Sequence, residues 1–151
     1  MVKKEALLGG VLGVFVAALT AGCGGDEELN REQYVSKLNA MCEDFSEKER
    51  EIGEPRTPAD LVEKGPRILD AFETAIVDKV HELEAPDEIA DQADRLVDLA
   101  DQQRQVLGEL VAAAKDGNIV KVRELASRNQ ALNKETTLIT RELGAKSCAE
   151  G

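Results

Sequence analysis

From Tyr34 onward the chain repeats apolar residues in steps of three and four, the spacing that gathers side chains on one face of an α-helix. No stretch alternates with the period of two expected of a half-buried strand. The first run carries Tyr34, Leu38, Met41, Phe45 and Ile52, with Cys42 beside Met41 on the same apolar side. It opens at Asn30, where an amide side chain followed three residues later by Gln33 predicts a capping box, and it stops at Gly53 and Pro55. The second begins at Thr57-Pro58, a cap followed by proline at the first helical position, where the missing N–H does no harm. Leu61, Leu69, Phe72, Ile76, Val80 and Leu83 form its apolar face, and Gly65-Pro66 predicts a kink after a short first turn or two. The third, after Pro86, places Ile89, Ala93, Leu96, Ala100, Gln103, Leu107, Leu110 and Ala114 on a stripe that Val97 and Val111 widen. The fourth enters through Asp116-Gly117-Asn118, sets Val122, Leu125, Asn129, Leu132, Thr136, Ile139 and Leu143 on one seam, and ends at Gly144.

Each run predicts a helix of about 22 to 28 residues, roughly 35 to 40 Å long. Short links between long helices make neighbours antiparallel, so the expected fold is an all-α, up-down-up-down four-helix bundle over residues 30–151. The alternative is a three-helix bundle with the second run packed loosely because of Pro66.

The amino-terminal segment has a different pattern. Lys3 and Lys4 precede an uncharged apolar stretch from Ala6 to Leu19, shorter than the roughly 20 residues of a spanning helix and rich in glycine. It ends in Leu19-Thr20-Ala21-Gly22-Cys23, which resembles the lipobox of bacterial lipoproteins. The resemblance covers this signal alone. It implies a signal peptide at 1–22, cleavage before Cys23, a diacylglycerol on the Cys23 thiol, and a lipidated cysteine with a flexible tether at 23–29. Two acyl chains hold a protein on a bilayer where one holds it only marginally. The expected location is therefore the cell membrane, with the domain lipid-anchored on the extracytoplasmic side. The general look, a lipobox followed by a cysteine-clamped helical domain, is similar to small helical bacterial lipoproteins and singles out no specific family.

The chain carries 30 acidic and 19 basic side chains for a net charge of −11. Such a balance excludes nucleic acid as the main partner, because that affinity comes from Lys and Arg displacing counterions from phosphates. It also leaves nothing beyond the lipid to hold the domain against an anionic bilayer. With Cys23 lipidated, Cys42 and Cys148 remain, and an extracytoplasmic compartment permits their disulfide. The tail after the fourth helix returns near the start of the first, so it can climb that helix to Cys42.

Candidate chemistry is sparse. Asp78 and the sole histidine, His81, stand one turn apart, half of a carboxylate and histidine metal pair whose second half has no histidine to supply it. Asp87, Asp91, Asp94, Asp98 and Asp101 are spaced four, three, four and three, a line of carboxylates along the third helix. They form either a weak cation or cationic-ligand surface or a solvated face with local pairing such as Asp91 with Arg95. Gln103, Asn129 and Thr136 interrupt apolar seams, where a polar residue fixes helix register through a buried hydrogen bond or lines a cavity. No nucleophile elbow, phosphate-cradling glycine loop or zinc spacing occurs, and no cofactor or metal is called for. The expectation is a non-enzymatic interaction module at the membrane, its partner an envelope protein or a cationic molecule. The alternative is a cation or small-ligand carrier using the acidic line.

Overall fold

The computed structural model describes residues 29–149. The signal segment, Cys23 and nearly all of the tether expected from the sequence lie outside them. Helix α1, Arg31–Ile52, starts with the capping box: the Gln33 N–H donates to Asn30 Oδ1 and the Asn30 N–H to Gln33 Oε1, both at 3.0 Å. Helix α2, Pro58–Phe72, repeats the device with Thr57 and Asp60. After α2 the backbone continues through a π-helical turn, Glu73–Val77, into α3, Asp78–His81. A 3₁₀ turn, Asp87–Ile89, leads into α4, Ala90–Lys115. Helix α5, Ile119–Leu143, is capped by Asn118, and a four-residue helix α6, Lys146–Ala149, closes the described chain. Among the described residues no strand occurs.

Gly65-Pro66 does not end the helix: α2 continues through both residues. Proline disfavours a helical residue before it partly through a clash with that residue's Cβ, and Gly65 has none. The carbonyl that loses its N–H partner belongs to Val62, and Val62 and Pro66 both lie exposed, where water replaces the missing donor. The irregularity comes later. Phe72, Ile76 and Val80 follow in steps of four, which outrun the 3.6 residues of an α turn, and the wider π turn absorbs the excess. Thr74 Oγ donates to the Asp70 carbonyl at 3.0 Å there.

Helix α4 lies between α2 and α5, and α1 packs on α2 and the π turn. The expected stripe on α4 holds at Ala93, Leu96, Ala100 and Gln103, which are buried together with α1 and the π turn. A second stripe went unread: Leu99, Val106 and Ala113, seven residues apart, close on Leu125 and Leu132 of α5. Leu99 and Val106 are wholly buried, each contributing roughly 1.5 to 3 kcal/mol by leaving water. On α2, Gly65 lies close against α4. A Cβ built there would sit 2.5 Å from Val111 Cγ2.

Gly144 takes φ +90°, the left-handed conformation that ends a helix without a Cβ penalty. It turns the chain so that the Ala145 N–H donates to the Thr140 carbonyl at 2.8 Å and Ala145 becomes fully buried. Helix α6 then runs back along α1.

Candidate functional site

The tail and α1 are joined at several points. Arg31 Nη2 donates to the Glu142 carbonyl at 3.2 Å, the Ser147 N–H to Asn39 Oδ1 at 2.9 Å, and Ser147 Oγ to Glu43 Oε1 at 2.7 Å. Asn39 thereby satisfies a backbone donor in the first turn of α6. The disulfide Cys42–Cys148 locks the clasp across 106 residues, with Cα atoms 5.1 Å apart. Cys42 stands about three turns into α1, and the buried Ala145 hinge followed by the short helix provides the rise that the tail needs to reach it.

Behind the disulfide lies a half-open pocket of about 120 Å³. Helix α1 lines it with Leu38, Met41, Cys42 and Phe45, and the second segment with Phe72, Ile76 and Val80, Ile76 being supplied by the π turn. Leu96, Ala100 and Gln103 of α4 form another wall, while Thr136 and Thr140 of α5 and Cys148 complete it. Phe45 and Phe72 meet edge to face with ring centroids 5.3 Å apart, a favoured aromatic geometry. Most of the lining is apolar, and three polar side chains break it.

Those three are specific. Gln103 is buried on the α4 stripe and its amide donates to Asn133 Oδ1, tying α4 to α5 in the register role expected of a polar seam residue. Thr140 Oγ donates back to the Thr136 carbonyl at 2.9 Å. Among the described residues the buried Thr136 hydroxyl has no partner, nor has Asn129 Oδ1 two turns earlier on α5. The sequence singled out Gln103, Asn129 and Thr136 but not Thr140, which is buried on α5 where α6 packs back on that helix.

The acidic line falls elsewhere. Asp91, Asp94 and Asp98 are exposed on α4, Asp87 is exposed in the 3₁₀ turn before it, and Asp101 is half-buried. Asp101 Oδ1 stands 3.1 Å from His81 Nε2, so the histidine pairs across to α4 rather than with Asp78 on its own helix. The anticipated local pair Asp91–Arg95 is replaced by a longer-range one. Arg95 reaches Glu135 on α5 with both Nε, at 2.8 Å, and Nη2, at 2.5 Å. Among the described residues no group of three or more His, Cys, Asp or Glu side chains is placed to hold a metal ion.

Among the described residues Glu49, Asp60, Asp44 and Tyr34 are displaced from their ordinary range, Glu49 upward by desolvation and Asp60 downward by the backbone N–H of Arg56 and the Thr57 cap. Asp44 on α1 accepts from Lys48 at 2.6 Å and from Lys79 of α3 at 2.8 Å, and these hydrogen bonds hold its carboxyl down at about 2. Tyr34, completely buried near the start of α1, has its hydroxyl pKa raised first by desolvation and then by the charge of Asp94, and its oxygen has no partner among the described residues. No described helix is long and apolar enough to cross a membrane. Compared with known proteins, the chain matches no family model, no curated protein and no solved structure.

Proposed function

We propose that this chain is a lipoprotein anchored through Cys23 to the extracytoplasmic face of the cell membrane, and that its helical domain is a non-enzymatic binding module. The single observation that carries the binding reading is the half-open pocket behind the Cys42–Cys148 clasp, largely apolar with a few polar residues in its lining, the usual composition of a ligand site. The four long segments fit an up-down-up-down antiparallel bundle, with the start of α1 and the end of α5 at one end, joined by Arg31 and Glu142. Six residues separate Cys23 from the Asn30 cap, a reach of roughly 20 to 25 Å when extended, so that end faces the bilayer. The exposed Asp91, Asp94 and Asp98 offer a cationic partner at the membrane a solvated acidic face.

The test is metabolic labelling with an alkyne-bearing fatty acid. The wild-type protein should take up label, sediment with membranes, and lose residues 1–22 by mass spectrometry. Cys23→Ser should do none of these. Unlabelled wild-type protein, or label that persists in the variant, would remove the anchor from the proposal.

A further inference from the structure

We infer that the outward face of α5 is a second membrane contact, which lays the anchored domain down on a bilayer of anionic lipid. The inference rests on the reading of Cys23 as a lipid anchor and adds the orientation that follows once the domain is held there. A net charge of −11 predicts that an anionic surface repels the chain, but that charge is unevenly spread. Of the long helices α1, α2, α4 and α5, only α5 carries more cations than acids, five against three.

The helix sorts those charges by face. Leu125, Leu132 and Leu143 are buried on one side. On the opposite side Arg123, Ser127, Gln130, Lys134, Leu138 and Arg141 follow in steps of four and three, a straight line along the axis with every member exposed. Val120 extends it by one turn, and no acid stands on it. Glu124, Glu135 and Glu142 lie on its flank, where Glu124 pairs with Lys121 and Glu135 with Arg95. Among the described residues Arg123, Lys134 and Arg141 have no ion-pair partner. Among the same residues Val120 and Leu138, 78% and 58% exposed, are the two most exposed large apolar side chains. Cations interleaved with exposed apolar groups suit a surface that rests in a headgroup layer.

The anchor selects a bilayer as the occupant. Each Lys or Arg close to an anionic leaflet favours contact by about fivefold, so three favour it by about a hundredfold. That is too little to draw a domain out of solution, yet enough to orient one that a lipid already keeps at the surface. The tether attaches at the same end of the bundle as Arg141, because Arg31 beside the Asn30 cap donates to the Glu142 carbonyl. Pivoting about that end brings the whole line onto the headgroups within the tether's reach of roughly 20 to 25 Å.

The test uses the mature lipoprotein, purified from membranes, in nanodiscs that carry a gadolinium-chelating lipid, with valine and leucine methyls followed by NMR. Val120 decides, because it lies about 27 Å along α5 from Leu138, away from the tether. Val62, near the start of α2 and beyond α4, is the control. In discs with roughly 30% phosphatidylglycerol, the relaxation enhancement at Val120 should approach that at Leu138 and exceed that at Val62 several-fold. In pure phosphatidylcholine, or at about 1 M salt where the screening length falls to about 3 Å, Val120 should match Val62. The triple variant Arg123→Gln, Lys134→Gln, Arg141→Gln should behave in phosphatidylglycerol as the wild type does in phosphatidylcholine. Its three sites are exposed and glutamine suits a helix, so the fold is kept. Val120 no closer than Val62 in phosphatidylglycerol, or close in spite of salt or of the triple variant, would overturn the assignment. So would methyl shifts that need a second copy in the disc, or added poly-glutamate, in place of anionic lipid, since these give the face to an acidic protein surface. A distant Val120 with fatty-acid label on Cys23 counts against this face alone, whereas absence of the label removes the anchor and the orientation together.

Discussion

Two glycines in helix interiors at the α2–α4 interface should respond to the same substitution with opposite signs. Replacing an interior helical glycine by alanine gains about 0.8 to 1 kcal/mol of helix propensity. At Gly108 on α4 nothing opposes that gain: the added Cβ would lie 3.9 Å from Leu69 Cδ2, an ordinary contact, so Gly108→Ala should stabilise by about that amount. At Gly65 on α2 the Cβ would lie 2.5 Å from Val111 Cγ2, inside any tolerated distance. Val111 is itself buried, and a β-branched side chain in a helix has essentially one rotamer, so it cannot swing aside. Overpacking of this kind costs about 1 to 3 kcal/mol, and the new Cβ also meets the ring of Pro66. Gly65→Ala should therefore destabilise by about 1 to 2 kcal/mol net. Urea unfolding of the two variants at constant m-value measures both effects. Adding Val111→Ala removes the contact but not the proline strain, so the double-mutant cycle isolates the Val111 term, expected at about 1 to 3 kcal/mol. A Gly65→Ala variant as stable as Gly108→Ala, or a coupling below about 0.5 kcal/mol, would refute the close approach of α2 to α4.

Three further outcomes are expected. Replacing both Cys42 and Cys148 by alanine should lower unfolding free energy by about 4 to 5 kcal/mol, because the bridge closes a loop of 106 residues, and a loss under about 1 kcal/mol would show the clasp to be dispensable. Tyr34→Phe should be neutral or slightly stabilising, since its buried hydroxyl has no partner to lose among the described residues, and a cost above about 1 kcal/mol in chemical denaturation would reveal one. The Asp44 carboxyl is depressed to about 2 in the folded chain against about 3.9 in an unfolded one, so its contribution is complete above the higher value and is lost as pH falls through the lower. The stability difference between wild type and Asp44→Asn, followed from pH 5 to pH 2, should shrink over that window and should be weakened by salt.

The helix boundaries were legible because they depend on neighbours in the chain. Asn30 with Gln33, Thr57 with Asp60, Asn118 and Gly144 each satisfy or release backbone groups within four residues, and those interactions form wherever the segment is placed. Periodicity likewise marked Tyr34, Leu38, Phe72, Leu96, Leu125 and Leu143 as core, since a helix must bury its apolar face on something. The pairing of Cys42 with Cys148 followed from helix order, with Cys23 set aside as the expected lipidation site.

What tertiary structure decided is which partner each face meets. Gly65-Pro66 has the local signature of a breaker, yet the missing Cβ that relieves Pro66 also lets Val111 approach, a relation between residues 46 positions apart that no window of sequence contains. The second stripe of α4, Leu99, Val106 and Ala113, reads as an ordinary widening of the first until α5 is seen packed on it. Arg95 finds Glu135 and His81 finds Asp101 for the same reason. The pocket depends most on three dimensions: each lining residue looks like core in its own helix, and the space between them exists only because side chains from the four long segments and Cys148 of α6 fail to fill it. Periodicity reports that a face is buried; volume left over between buried faces is a property of the assembly alone.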